Sequence, residues 1–256
     1  MAIANADEWA GEGGKGIRII NGCGTENEIR EIDMARISST TLFNFTDSLD
    51  YLINNLRDGF YCSNTFEKLP LRNNGYRVPM ACFCDIPLSL IKEHFDWYGR
   101  YGIGIKRTYA RELGVKPVWY VTSESQLVKS LIKNKDLNEY ERKHLLPYLK
   151  QFIGNQEYKD GKEKRKKFYD EREWRYIPDN SLVEPFFGKN RKSVPTGINE
   201  QHRMKLDLSA IEYIIIDNEK EFDKMIPVLK KLSNEKVGYE LLLSKIMTSK
   251  QIERDF

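Results

Sequence analysis

The chain has 256 residues, enough for one large domain or two small ones, and 40% of them are hydrophobic and 31% charged. Its 14 Tyr, 12 Phe and 4 Trp exclude a disordered chain, and 41 basic against 38 acidic residues leave a net charge of +3, too even to argue for nucleic-acid binding. No run of about 18 apolar residues offers a membrane span, and the start MAIANADEWAGEGGKG lacks the basic-then-apolar pattern of a secretory signal. Cys23, Cys62, Cys82 and Cys84 show no disulfide spacing, so reduced thiols and a cytoplasmic location are expected.

Residues 1–36 are Gly-rich and weakly patterned, and are expected to be a flexible leader with a short strand at Ile17–Ile20. Met34 is an alternative natural start. Residues 37–256 are expected to form one α+β domain. TLFNFT at 41–46 alternates and predicts a strand, with Asn44 and Thr46 on one face and Phe43 and Phe45 on the other. Thr46 or Asp47 is expected to cap a helix that carries Leu49, Leu52, Ile53 and Leu56 and stops at Gly59. Phe60–Cys62 reads as extended and residues 63–77 as a loop. VPMACFCDI at 78–86 predicts a buried strand, Leu88–Tyr98 a helix and YGIGI at 101–105 a strand whose glycines permit close backbone approach. A short helix at 109–114 and a strand at 117–122 follow. Two helices at 124–153 form an insertion, and the polar, basic stretch 155–168 reads as a loop. Glu171–Ile177 predicts a strand, and residues 179–201 an irregular excursion. Two strands follow at 204–208 and 211–216, then a helix at 219–232. Residues 239–246 read as a final strand or helix, with strand preferred, and 249–256 as a helical tail. Helices and strands mix without a βαβ rhythm, so the fold class is α+β.

Glu171 and Glu173 stand two apart, which on a strand puts both carboxylates on one face. Either they form a solvated strand of alternating charges, or they are paired active-site carboxylates whose repulsion raises one pKa unless a cation intervenes. Cys82 and Cys84 share an apolar strand without the knuckle spacing of zinc sites, so no metal is expected. Lys159–Lys167, KDGKEKRKK, reads as a solvated loop, with nucleic-acid contact as the alternative. His94, His144 and His202 read as surface or structural residues.

A polar first strand, then a strand–helix block rich in aromatics, then a late E-x-E strand: this order resembles the layout of ADP-ribosyltransferases, with a split β-sheet and flanking helices. That resemblance implies NAD as cofactor. It makes Glu173 the carboxylate that stabilises an oxocarbenium-like transition state and Glu171 its acceptor-side helper. Asn44 and Thr46 would hold a ribose, and Tyr98 or Tyr101 would stack on nicotinamide. The pattern usually has histidine where Asn44 stands. Asparagine can bond a ribose hydroxyl but cannot take a positive charge, so lost NAD chemistry fits equally well.

The stretches ISSTTLFNFT, DGFY, VPMACFCDIPLS, YGRYGIGI, PVWYV and EREWRYIP resemble the AbiGi family of bacterial abortive-infection, phage-resistance proteins. That resemblance spans about residues 37–178. It implies the antitoxin side of a toxin–antitoxin pair, with a nucleotidyltransferase-like toxin as partner.

Overall fold

The computed structural model describes residues 39–69, 74–133, 144–179, 184–187 and 202–256, all within the unit Ile37–Phe256. The expected leader and the strand at 17–20 lie outside these residues. The described strands are β1 (Thr41–Thr46), β2 (Phe60–Tyr61), β3 (Ser63–Lys68), β4 (Asn74–Cys84), β5 (Tyr101–Lys106), β6 (Lys116–Pro117), β7 (Trp119–Val121), β8 (Leu149–Gln151), β9 (Gly154–Glu157), β10 (Glu163–Lys166), β11 (Glu173–Tyr176), β12 (Glu184–Phe187), β13 (Arg203–Met204), β14 (Ile211–Ile216) and β15 (Ile246–Thr248). The described helices are α1 (Leu49–Asp58), α2 (Lys92–Tyr98), α3 (Arg107–Glu112), α4 (Gln126–Lys133), α5 (Phe222–Leu232), α6 (Tyr239–Leu243) and α7 (Ser249–Asp255).

The main sheet runs β15-β14-β5-β1-β4-β11-β6, with β3 and β12 also paired to β4. Among the described strands of this sheet only β14 and β15 pair in parallel, so the mixed, mainly antiparallel α+β class holds. Period-two alternation sorts the core onto two faces. Leu42, Ile103, Ile105, Ile214 and Ile216 pack with Leu52 and Leu56 of α1 and Met225 and Leu229 of α5. Phe43 and Ile215 point the other way, onto Phe95 of α2 and Ile252 of α7. The glycines of β5 lie opposite the aromatics of β1, Gly104 across from Phe43 and Gly102 across from Phe45. A Cβ on Gly102 would stand 2.7 Å from the Phe45 ring.

β4 is the longest strand and its partners change along it. At its end it meets β1 in one register pair, Phe43↔Cys84. From there the two strands part. Over residues 81–84 it pairs with β11, and over residues 75–80 with β3. Asn44 spans the parting: its Nδ2 donates to the Cys82 carbonyl at 2.8 Å.

Several expectations are corrected. α1 is capped by Ser48, whose Oγ accepts from Tyr51 N; Thr46 Oγ1 turns instead onto the Ser48 carbonyl. The loop at 63–77 is β3 and the start of β4 where it is described. The loop at 155–168 contains the hairpin β9–β10, registered Glu157↔Glu163 to Gly154↔Lys166. The strand at 117–122 breaks at Val118, because β6 pairs with β11 while β7 pairs in parallel with β8. α4 realises the first inserted helix. The second falls partly on residues 134–143, outside those described, and ends in β8 rather than in helix. The strand at 239–246 is the helix α6, followed by β15. Within 179–201 the structure describes 184–187 as a strand, β12, paired with β4.

Candidate functional site

β11 does not begin at Glu171. Phe168–Glu171 form a 3-10 turn, and Arg172 takes a left-handed conformation, φ 46°, before the strand starts at Glu173. The two carboxylates are therefore brought together by a bend, not by strand period. Both are buried, so a solvated strand of alternating charges is excluded.

They sit in a closed ionic cluster. Glu173 meets Arg175 Nε at 2.6 Å and Lys150 Nζ at 2.9 Å. Glu171 meets Lys166 at 2.6 Å and Lys150 at 3.6 Å. Glu67 of β3 meets Lys150 at 3.4 Å and Arg175 at 3.2 Å. Three carboxylates thus face three cations. Arg175 also donates to the Pro147 carbonyl and to Tyr76 Oη. The Glu173 backbone N–H donates to Tyr120 Oη at 2.8 Å, and Tyr98 Oη donates to Glu171.

The charges set one another. Burial alone would raise the Glu173 carboxyl, but Arg175 and Lys150 outweigh it and hold the group well below the usual carboxylate range. Burial opposes the charge on Lys150, yet Glu173, Glu67 and Glu171 keep it firmly protonated. Lys166 is lowered by burial against the pull of Glu171. Burial, then the Glu171 charge, raise Tyr98, so it stays a phenol and a donor.

The parting of β1 from β4 opens a cleft of about 940 Å³. Five of the six expected site residues line it: Asn44, Thr46, Tyr98, Glu171 and Glu173. Tyr101 does not; its hydroxyl donates to Glu221 Oε1 at 2.8 Å. Asn44 is already engaged, donating to Cys82 and accepting from Asn55 Nδ2 at 3.3 Å. Thr46 is held by Ser48.

The sequence reading missed Glu67, Lys150, Lys166 and His94 as members or neighbours of this site. Two signals were available. Arg175 shares the face of Glu173 by strand period, and His94 shares the face of Tyr98 at i,i+4 on α2. His94 is buried at 7% exposure and lines the cleft. The basic stretch is not a free loop either. Lys166 lies 4.0 Å over the Trp97 ring, Lys164 3.2 Å over the Tyr158 ring, and Trp97 packs edge-on to Tyr158 at 4.8 Å. Burial pushes the Cys62 thiol up to about 12, and raises Cys82 and Cys84 as well, so these thiols are poor nucleophiles. Among the described residues no group of three His, Cys, Asp or Glu side chains is placed to hold a metal ion, and no helix is long and apolar enough to cross a membrane.

A family model described as "abortive phage resistance protein AbiGi, antitoxin" matches residues 58–217. The chain is also similar to the abortive phage resistance protein AbiGi of Lactococcus lactis subsp. cremoris, 27% identical over 238 residues, covering 77% of this chain and 95% of that protein. No solved structure matches, so the ADP-ribosyltransferase-like layout gains no support from a structural neighbour.

Proposed function

We propose, from the fact that this chain belongs to the AbiGi family of abortive phage resistance proteins, that it is the antitoxin member of a phage-defence pair and works by binding its toxin. One observation carries the choice of binding over chemistry. Both oxygens of Glu173 are engaged, Oε1 by Arg175 and Oε2 by Arg175 and Lys150, inside a buried cluster with equal numbers of acids and cations. A carboxylate so paired has little negative charge left for a developing oxocarbenium ion. The expected partner is a nucleotidyltransferase-like toxin encoded beside this chain, and the pair acts in the bacterial cytoplasm. The test is stoichiometry. Purified chain is titrated into a fixed amount of toxin while toxin activity is followed. Neutralisation should rise linearly and stop at equimolar protein. Full neutralisation at a small fraction of the toxin concentration would mean catalysis.

The second reading is an NAD-consuming enzyme, an ADP-ribosyltransferase or NAD glycohydrolase. It is favoured by the cleft shared by Asn44, Thr46, Tyr98, Glu171 and Glu173. With NAD+ and host lysate as the source of acceptors, release of nicotinamide by the wild-type chain, lost in Glu173→Gln, would support it. No release in either sinks it.

A further inference from the structure

Two residues that line the cleft carry buried polar atoms that the protein leaves unanswered. His94 Nε2 is buried and has no hydrogen-bond partner, and the same holds for Gln156 Oε1 on β9. Both residues line the cleft. Buried polar atoms are nearly always paired, so two unpaired ones on residues that line a single cleft need a reason.

The surrounding charge narrows what could answer them. The buried acids Glu171 and Glu173 and the half-buried Glu67 are matched by Lys150, Lys166 and Arg175. A charged ligand would have to displace one of those pairs, whereas an uncharged one would not. His94 is itself neutral at pH 7, because burial pushes it down to about 4 against the opposing pull of Glu171. A neutral imidazole offers one N–H and one lone pair, and Gln156 Oε1 accepts only. The ligand must therefore bring at least one donor. Flat apolar faces stand beside the imidazole: the Phe45 ring at 6.4 Å and the Tyr98 ring at 5.6 Å, centroid to centroid. Flat aromatic surfaces of this kind suit a flat ligand. The volume, about 940 Å³, is in the range of small-molecule sites.

We propose that the cleft binds an uncharged, planar ring carrying a hydrogen-bond donor beside an acceptor, as on the edge of a nucleobase or the carboxamide of nicotinamide, with His94 as its anchor. The imidazole bonds the ring's polar edge, Gln156 takes an N–H, and Phe45 and Tyr98 bound the ring's faces. This goes beyond both readings of function, since it requires neither a toxin nor turnover of NAD+.

The chain has three histidines, His94, His144 and His202. Labelling with ¹⁵N-histidine therefore gives a spectrum in which the resonance missing from His94→Gln identifies His94. The probes are adenosine, guanosine, uridine and nicotinamide, with inorganic pyrophosphate as the charged control. The expected result is a saturable shift of the His94 signal with at least one ring probe and none with pyrophosphate. A nucleoside responding without nicotinamide, or the reverse, identifies the source of the ring. His94→Leu should weaken that binding about tenfold, the effect of one lost hydrogen bond, while His94→Gln, which keeps a polar atom, should lose less. No saturation by any ring probe at millimolar concentration overturns the proposal. So does a response to pyrophosphate alone, or unchanged binding by a folded His94→Leu chain. Should the leucine variant fail to fold, the wild-type titration and the glutamine variant decide. Toxin neutralisation is measured separately, so a negative titration leaves the antitoxin reading standing.

Discussion

Arg175 is fully buried, at 0% exposure, and bonds Glu173, Tyr76 and the Pro147 carbonyl. Arg175→Met would keep most of the volume and leave Glu173 and Glu67 short of a cation. It is expected to cost about 3–5 kcal/mol in urea unfolding; adding Glu173→Gln to the same chain should recover part of that loss, because the two changes share one interaction. His94 gives a pH signature. Its folded pKa of about 4 lies below the ordinary 6.5, so the unfolded chain binds more protons between those values. The stability is fully present above pH 6.5 and is lost as pH falls towards 4, by about 3 kcal/mol. Urea midpoints measured from pH 7 to pH 4 should show the slope, and His94→Leu should flatten it. At this scale the sequence was legible where a local rule sufficed. Strand position put Asn44 beside the cleft, and the E-x-E spacing marked two acids that do come together. Glu67 and Lys150 stand 83 residues apart and could not be paired from spacing.

Among the elements, strands with an apolar pattern were readable and strands without one were not. β1 alternates, and β14, IEYIII, is a nearly unbroken apolar run. β9 and β10 have no apolar face; they are held by ring contacts from Trp97 and by a turn at Asp160–Gly161, with Gly161 at φ 74°. That Asp-Gly pair was the available hairpin signal. α6 was read as a strand because Leu241, Leu242 and Leu243 form an apolar run that suits either state; of the three, only Leu242 is buried. The β1–β5 pair supports a sharper test. Gly102→Ala would set a Cβ 2.7 Å from the Phe45 ring, which lines the cleft. The ring can yield only by moving, so a loss of about 1–3 kcal/mol is expected. Heat or urea denaturation reads the loss, and a shift of the His94 resonance would report the displaced ring.

The α+β class could be read from the irregular order of elements, whereas the changing partners of β4 along its length could not. The exclusion of Tyr101 from the cleft could not be read, because it depends on Glu221 arriving from a distant helical turn. The same distances govern when the molecule is finished. Tyr76 waits for Arg175, 99 residues further along, and Tyr98 for Glu171, 73 residues on. Contacts that close such long loops form late in folding. Arg175→Met should therefore accelerate unfolding in stopped-flow experiments and leave the refolding rate nearly unchanged. During synthesis the wall of the cleft stays incomplete until Arg203 has left the ribosome, so a chain truncated before it carries most of the sheet and an unfinished pocket.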